Sequence, residues 1–321
     1  MNDLTKVPTT ATATASGKFS DPQVTAKGEA RASVELNNPQ TLWFNTGTLC
    51  NIECLRCYIE SSPTNDALVY ISTDEVVEYL DQIKARDWPV TEIAFTGGEP
   101  FMNPQMIDMA RESLSRGFDV LILTNAMRPM MRPRVQAGIT ALQQEFGTRL
   151  TLRISLDHHA AKHHDEERGE GSFEATLQGM RWLRDQGVRM AVAGRTIWGE
   201  TEEDARAGFG ALYAREGFAI DAANPGETVL FPEMDESVDV PEITTECWGI
   251  LGKSPDQVMC SSSRMVVKRK GQKPSVVACT LLPYAPEFDL GTTLQEAEKP
   301  VFLNHPHCAK FCVLGGASCS A

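Results

Sequence analysis

Three cysteines, Cys50, Cys54 and Cys57, lie within eight residues of one another in this 321-residue chain. They follow a short apolar run that begins at Leu42. Three thiolates at this spacing can all reach one small inorganic centre. A four-iron cluster held by three cysteines keeps one iron without a protein ligand, and an open metal position is typical of catalytic rather than structural sites. The triplet therefore predicts a cluster that takes part in chemistry.

A second candidate segment is Gly97-Gly98-Glu99-Pro100, which directly follows the predicted strand Glu92–Thr96. Paired glycines allow a backbone to come close to a bound molecule, and a glutamate supplies an anionic acceptor. The carboxyl ends of parallel strands are where such folds present their ligand-binding groups. Alone, the tetrapeptide also fits an ordinary turn. Its position one strand–helix unit after the cysteine loop favours a functional role.

A parallel sheet is the element that must position these segments. Apolar runs alternate with amphipathic helical patterns from about residue 39 onward, which predicts βα units. The predicted strands are Leu42–Asn45, Glu92–Thr96, Val120–Thr124, Leu150–Leu156, Met190–Ala193 and Thr228–Phe231. Eight such units close a full barrel. Six units therefore predict an α/β fold with a partial, open (β/α)6 barrel of the TIM type.

Changes in composition divide the chain into four predicted parts. Residues 1–38 are poor in apolar side chains, which predicts a disordered N-terminal tail. The partial barrel covers residues 39–235, and a proline-rich, acidic connector covers residues 236–259. Residues 260–321 form a small cysteine-rich module. Because so short a segment has little core of its own, it is expected to need a metal to hold it together.

The cysteines of this last part form a second candidate metal site. Cys260 and Cys279 flank two strand-like arms around a turn, and Cys308, Cys312 and Cys319 follow. Four thiolates are a ligand set for an iron–sulfur cluster and also for zinc. The residues alone leave these two metals as alternatives.

The charge balance excludes some classes of function. Lys and Arg number 30 against 43 Asp and Glu, a formal charge of −13. A dedicated nucleic-acid binder would show a basic face, so no nucleic-acid partner is expected. No apolar stretch approaches the ~20 residues of a membrane span, and residues 1–20 lack the hydrophobic core of a signal peptide. We therefore expect a cytoplasmic protein that does not bind membranes, with cysteines that bind metal or stay reduced.

The Cys-x3-Cys-x2-Cys spacing, together with Gly97–Pro100 after the next strand, resembles the signature of the radical S-adenosylmethionine (SAM) enzymes. The resemblance implies that the cysteine triplet holds a [4Fe–4S] cluster, whose open iron takes the amino and carboxylate groups of SAM. It implies that the Gly97–Pro100 motif holds the methionyl amino group. Oxidoreductase-type radical chemistry is then expected. One electron, from a donor such as flavodoxin or ferredoxin, cleaves SAM to a 5′-deoxyadenosyl radical that takes a hydrogen atom from the substrate.

Further segments match the same family in order along the chain. Ser155 and Asp157 stand where these enzymes place contacts to the ribose and methionyl carboxylate. Ile197 begins a segment similar to the one that packs against adenine, although its neighbours also fit a turn and a helix cap. The position before the third cysteine is usually aromatic or His, and here it is Arg56. Tyr58 is expected to supply the ring instead. The sequence does not identify a catalytic side chain.

The layout of the C-terminal cysteines resembles the twitch or abbreviated SPASM extensions of radical SAM enzymes. The resemblance implies one auxiliary [4Fe–4S] cluster, with Cys260, Cys279, Cys308 and Cys312 as the favoured ligands and Cys319 as the substitute. An auxiliary cluster favours an oxidative or redox-coupled modification. Zinc remains the alternative metal.

A histidine-rich segment bears on the substrate. Residues 157–169 contain four histidines and resemble a loop of radical SAM peptide-modifying enzymes that binds no metal, so a structural role with Asp165 paired to Arg168 is expected. The loop favours a peptide substrate, whose leader would need a separate recognition protein. A small-molecule substrate and, in a different class, a non-catalytic iron–sulfur electron carrier are the alternatives. Arg128, Arg132 and Arg134 are predicted either to bind an anionic substrate group or to pair with surface carboxylates.

Overall fold

The computed structural model describes residues 17–233, 235 and 237–316. The strands are β1 (Ser33–Val34), β2 (Thr41–Asn45), β3 (Glu92–Thr96), β4 (Asp119–Thr124), β5 (Leu150–Ser155), β6 (Arg189–Arg195), β7 (Thr228–Phe231), β8 (Ser263–Val267), β9 (Ser275–Val277), β10 (Asp289–Gly291) and β11 (Val301–Phe302). The α-helices are α1 (Thr73–Ala85), α2 (Met106–Ser115), α3 (Pro133–Phe146), α4 (Ala161–Arg168), α5 (Ser172–Asp185), α6 (Glu202–Glu216) and α7 (Cys247–Leu251). A π-helix covers Cys308–Leu314.

Strands β2 to β7 form the predicted partial barrel. They pair in parallel and in chain order, each with the next. Helices α1 to α6 occupy the connections between them. The six predicted strands are all present, with bounds within two residues of those expected. All six therefore direct their carboxyl ends to the same edge of the sheet, and the cysteine loop follows β2 at that edge.

The alternation of side chains along each strand separates two apolar regions. On β2, Phe44 belongs to the larger cluster between sheet and helices, where its ring stacks on Phe95 of β3 with centroids 5.7 Å apart. The neighbouring Trp43 points to the opposite, concave side and packs in a second cluster with Met265 of β8. Successive strand residues face opposite sides. On the concave side, the side chains of this second cluster fill the interior of the barrel, and space for ligands lies near the carboxyl ends of the strands.

The cysteine-rich region continues the barrel sheet. Strand β8 pairs in parallel with β2, and β9 and β10 add to it in antiparallel order, which gives a nine-stranded sheet with the order β10-β9-β8-β2-β3-β4-β5-β6-β7. The two strand-like arms expected between Cys260 and Cys279 are β8 and β9. Their junction with the edge of the barrel was not predicted. Because β2 lies between β3 and β8, the strand that precedes the cysteine loop is central.

The predicted disordered tail is wrong for residues 17–38, which are part of the packed structure. Strand β1 pairs with β11, and Val34 is fully buried. Arg31 is also buried. Its guanidinium lies 2.5 Å from Glu242 and donates to the carbonyl of Val24. The segment buries few apolar residues, and it is held largely by backbone pairing and this ion pair, so its composition resembles that of a disordered chain. Residues 1–16 lie outside the described part.

Across the residues with described structure, no helix has both the length and the apolar character that crossing a membrane requires.

Candidate active site

The cysteine triplet and the glycine motif share one cavity at the carboxyl ends of the strands. Its lining residues are Cys50, Cys54, Cys57, Tyr58, Ile59, Ser61, Thr96, Gly97, Gly98, Pro100, Leu123, Thr124, Asn125, Ser155, Arg168 and Arg195. Cys50 is buried, and the other two cysteines are half-buried. Burial raises the pKa of the Cys50 thiol to about 12. A thiolate at this position therefore needs a compensating cation, which is what a metal cluster supplies.

The two glycines allow the cysteine loop to lie directly against the end of β3. A Cβ on Gly98 would stand 2.3 Å from the carbonyl oxygen of Leu49, and one on Gly97 would stand 2.6 Å from that of Gly47. Gly97 also has a φ of +147°, which side chains rarely adopt. The amide of Gly98 donates to the carbonyl of Gly47 over 2.8 Å. The glycines thus line the cavity and also allow two backbone segments, the end of β3 and the residues immediately before Cys50, to pack closely together.

Glu99 connects the ends of β3 and β4. Its carboxylate accepts hydrogen bonds from the Thr124 hydroxyl (2.8 Å), the Asn125 amide (2.9 Å) and the Phe101 amide (3.2 Å). Burial raises its pKa to about 7, and these hydrogen bonds oppose the rise. The side chain is not among those that line the cavity. Its contacts are with the strand ends themselves, and a direct contact to a ligand stays a prediction.

Polar groups also approach the cysteine sulfurs. The side-chain amide of Asn125 lies 4.0 Å from Cys50 Sγ and donates to Asn51 in the cysteine loop over 2.9 Å. The backbone amide of Ser61 donates to Cys57 Sγ over 3.3 Å. Hydrogen bonds to the sulfurs influence the reduction potential of an iron–sulfur cluster. Asn125 therefore has two contacts to the cysteine loop.

A buried network of charges joins the cysteine loop to β5, α4 and β6. Asp157 pairs with Arg168 (2.5 Å) and with Arg195 (3.3 Å). Burial raises the pKa of Asp157, but the two guanidiniums outweigh it and keep the pKa below its ordinary value. Arg195 also lies 3.8 Å from Glu167 and donates to the carbonyl of Arg56 in the loop over 2.9 Å. Arg195 was not identified from the sequence, because nothing in its surroundings distinguishes it from a surface arginine.

The same network explains Arg56, which stands where the family usually has an aromatic residue or His. The guanidinium of Arg56 pairs with Glu167, whose side chain is 1% exposed, and lies 3.4 Å from Glu233. The backbone amide of Leu55 donates to the carbonyl of Glu167 over 2.8 Å. Arg56 therefore fastens the loop between Cys54 and Cys57 to the end of helix α4.

The other predicted cofactor contacts are distributed unevenly. Tyr58 and Ser155 line the cavity with the cysteines, whereas Asp157 lines the space deeper in the barrel. Ile197 is in neither lining set. Thr201, four residues later, accepts a hydrogen bond from the Asp204 amide over 3.1 Å and caps helix α6. Thr201 thus acts as the helix cap that its sequence also suggested. The contact of Ile197 with adenine stays a prediction.

A second cavity brings together the four favoured C-terminal cysteines. Cys260, Cys279, Cys308 and Cys312 line it with apolar neighbours. Cys308 and Cys312 come from the π-helix, and Cys260 and Cys279 from either end of the β8–β9 hairpin. Burial raises the pKa of Cys260 to about 11 and that of Cys308 well above the ordinary value. Four thiols converge here in an apolar setting, and Cys319 lies outside the described residues.

Comparison with known proteins decides the family. The model of the Radical SAM superfamily matches residues 44–207, which is about half of the chain and includes the cysteine triplet and the glycine motif. The chain belongs to the radical SAM superfamily. Such enzymes use a [4Fe–4S] cluster and SAM, and the first cavity fits this pair. It offers three thiols, and its described lining contains no histidine or further cysteine that could close the fourth iron.

Individual relatives match this radical SAM superfamily chain over part of their length. It is 28% identical over 149 residues to the AdoMet-dependent heme synthase of Methanosarcina barkeri, covering 46% of this chain and 40% of the synthase. It is 30% identical over 162 residues to the antilisterial bacteriocin subtilosin biosynthesis protein AlbA of Bacillus subtilis, covering 50% of this chain and 34% of AlbA. The chain thus spans less than half the length of these relatives. The structure of anSMEcpe with bound AdoMet has a TM-score of 0.57 at 14% identity, covering 85% of this chain and 83% of that one, a likeness that shows the fold.

The histidines that follow β5 fit packing better than metal binding. Ligand atoms of His158, His159 and Glu200 lie within 4.8 Å of one another. However, Nδ1 of His158 accepts the Ala160 amide over 2.9 Å. In a neutral His158 ring the proton is then on Nε2, which lies 2.9 Å from a carboxylate oxygen of Glu200. Both ring nitrogens thus have polar partners within the protein. The His159 ring packs flat on Gly208 of α6, where a Cβ would stand 2.3 Å from it.

The expected pairing of Asp165 with Arg168 is wrong. Arg168 pairs with Asp157 instead. Asp165 accepts hydrogen bonds from the Gly171 amide (3.0 Å), the Phe173 amide (2.7 Å) and the Ser172 hydroxyl (3.0 Å). These amides belong to the start of helix α5 and have no partners within the helix, so a carboxylate there stabilises it.

The three arginines after β4 are exposed, and none of them has a carboxylate partner among the described residues. Arg132 and Arg134 line a separate cavity between the starts of α2 and α3, together with Asp108. They do not line the cysteine cavity. Pairing with surface carboxylates is thus not observed, and binding of an anionic substrate group stays a prediction.

Proposed function

We propose that this radical SAM enzyme takes a hydrogen atom from a peptide and modifies it in an oxidative or redox-coupled reaction. The observation that carries the proposal is the pair of cysteine cavities, one lined by three thiols and the other by four. A four-iron cluster held by three thiols would keep one iron free for SAM. When bound, the [4Fe–4S] cluster and SAM supply a 5′-deoxyadenosyl radical. A second centre would accept an electron from the substrate.

The chain's own residues would bind and orient the cofactors. Cys50, Cys54 and Cys57 would hold the cluster, and Ser155 and Tyr58 face the same cavity and would contact SAM. The glycine motif keeps the cysteine loop against β3 and leaves its backbone at the cavity wall. The buried strands of the partial barrel line one side of the site and would shield a reactive radical from part of the solvent.

We assign the auxiliary cluster to Cys260, Cys279, Cys308 and Cys312 because these four line one cavity. Zinc would satisfy the same thiols, but zinc cannot take up an electron. Metal content separates the two. Anaerobically reconstituted protein should contain about eight iron atoms per chain, whereas about four iron atoms with one zinc would refute the second cluster.

The peptide substrate is supported by the relative whose name refers to bacteriocin biosynthesis, which is 30% identical to this chain. A separate recognition protein would bind the leader, and flavodoxin or ferredoxin would donate the electron. The heme synthase, 28% identical, supports a small-molecule substrate as the second candidate. Pull-down with the reconstituted chain should recover a short peptide in the first case and none in the second.

The deciding experiment is anaerobic reconstitution followed by SAM and dithionite. We expect 5′-deoxyadenosine and methionine from the wild-type chain. The Cys54→Ala variant should form neither, because the cluster loses one of its three ligands. Absence of 5′-deoxyadenosine from the wild type would refute the enzyme and favour a non-catalytic electron carrier.

A further inference from the structure

A deeper cavity in the barrel adjoins the cysteine cavity and has a more apolar lining. The two share the residues Tyr58, Leu123, Ser155, Arg168 and Arg195. These shared residues place the two cavities side by side at the same end of the barrel.

The far wall of the deeper cavity is apolar. It consists of Phe231 at the end of β7, Leu281 and Phe311. The rings of Phe231 and Phe311 lie 5.5 Å apart at an angle of 31°. Leu281 and Phe311 line the cavity and are otherwise buried, at 6% and 2% exposed.

The charged residues of this cavity are held by one another or by the backbone. Arg168 and Arg195 both pair with Asp157. Arg153 donates to the carbonyl of Gly226, near the start of β7, over 3.4 Å. The three wall residues themselves are uncharged, and the three arginines and Asp157 belong to the rest of the cavity lining.

We propose that this wall, formed by Phe231, Leu281 and Phe311, receives an aromatic side chain of the substrate, and that Leu281 and Phe311 select it. The inference rests on the proposed function and names its substrate class. Burying apolar surface against such a wall is favourable, whereas a polar group there would lose its hydrogen bonds to water. The selected side chain would then lie beside the cysteine cavity, where the SAM-derived radical would form.

The position of the wall also fits an oxidative reaction. Leu281 follows Cys279 by two residues, and Phe311 immediately precedes Cys312. The two segments that form the wall therefore carry ligands of the four-cysteine cavity as well. A substrate group against Leu281 and Phe311 would be within a few side chains of the second centre, which shortens the path of an electron from substrate to acceptor.

The chain offers a matched control for Leu281. Its neighbour Leu282 is buried to the same degree, 5% against 6% exposed, and belongs to the same core cluster, but it does not line the cavity. Leu281→Ala and Leu282→Ala remove the same atoms from adjacent positions. Iron content and the midpoint of thermal unfolding show whether each variant is folded. Phe311→Leu serves as a milder second variant, because it retains an apolar side chain.

The probe is N-acetyl-4-fluoro-L-phenylalaninamide, whose binding to reconstituted enzyme with SAM is followed by fluorine NMR. We expect millimolar affinity in the wild type and about tenfold weaker binding in Leu281→Ala. Leu282→Ala should bind as the wild type does, and Phe311→Leu should bind more weakly than the wild type. N-acetyl-L-serinamide should not compete.

Equal binding by the two alanine variants, effective competition by the serine amide, or no binding of the probe at millimolar concentration would each overturn the proposal. Failure of the proposed function gives a different result. If SAM is not cleaved but the probe binds with this pattern, the apolar site stands and the radical reaction does not. If SAM is cleaved and the pattern is absent, only the assignment of the wall is wrong.

Discussion

Substitution of Gly98 by alanine tests how the cysteine loop is held. The added Cβ would stand 2.3 Å from the Leu49 carbonyl oxygen, 2.6 Å from the Leu49 carbonyl carbon and 2.7 Å from the Thr48 carbonyl oxygen. All three are backbone atoms, so no side chain can rotate away. An ordinary contact would need the chain before Cys50 to move by about 1 Å.

The cost of this movement follows from the packing. Overpacking of a buried site costs about 1–3 kcal/mol, and the displaced segment carries the hydrogen bonds of Gly98 to Gly47 and of Glu99 to Leu49. We expect a decrease of several degrees in the midpoint of thermal unfolding. Because Cys50 directly follows Leu49, we also expect incomplete loading of the first cluster and reduced formation of 5′-deoxyadenosine.

Gly210→Ala is the matched control. Gly210 lies inside helix α6, where the nearest atom to an added Cβ is 3.7 Å away. Alanine there should stabilise the protein by about 0.5–1 kcal/mol, because glycine is unfavourable within helices. Iron content is measured for both variants by colorimetric assay, and unfolding by calorimetry. Full iron loading and an unchanged unfolding midpoint in Gly98→Ala would refute the close contact between the β3 end and the cysteine loop.

Three further substitutions test other parts of the structure. Arg56→Met leaves the buried Glu167 with Arg195, 3.8 Å away, as its remaining ion-pair partner. We expect the protein to be destabilised by about 1 kcal/mol, after allowance for the half-exposed arginine. A double-mutant cycle with Glu167→Gln that showed no coupling would contradict the Arg56–Glu167 ion pair. Cys308→Ala should reduce iron content by about four atoms per chain while substrate-free SAM cleavage continues; unchanged iron would exclude Cys308 as a ligand. Val34→Ala should lower the free energy of unfolding by about 1 kcal/mol, since Val34 is fully buried. The control Val238→Ala, at a residue 46% exposed, should change it by less than about 0.5 kcal/mol. Equal effects of the two substitutions would indicate that residues 17–38 are not packed.

The barrel and the general position of the site could be predicted because strong local patterns encode them. The six strands are short apolar runs such as Glu92–Thr96, and the glycine motif follows one of them directly. The convergence of Cys260, Cys279, Cys308 and Cys312 was also expected, since few other roles suit so many cysteines.

The remaining features depend on contacts between distant residues. Arg195 acts through Asp157 and Glu167, and Arg56 acts through Glu167 more than 100 residues away. The packing of residues 17–38 depends on the ion pairs Lys18–Asp239 and Arg31–Glu242 and on strand β11, all more than 200 residues later in the chain. Such pairings cannot be predicted from the composition of the local sequence. Residues 17–38 were therefore predicted to be disordered, and the presence of arginine at position 56 was not explained.

The pairing of β8 with β2 has a consequence for the order of assembly. Strand β2 precedes the first cysteine, yet its neighbour on one side is Ser263–Val267, more than 200 residues later. During synthesis, β2 therefore remains an edge strand with unpaired backbone groups until most of the chain has been made. Contacts of such long separation are slow to form. The cysteine loop reaches its final support late in folding, so insertion of the first cluster would follow the docking of the C-terminal hairpin.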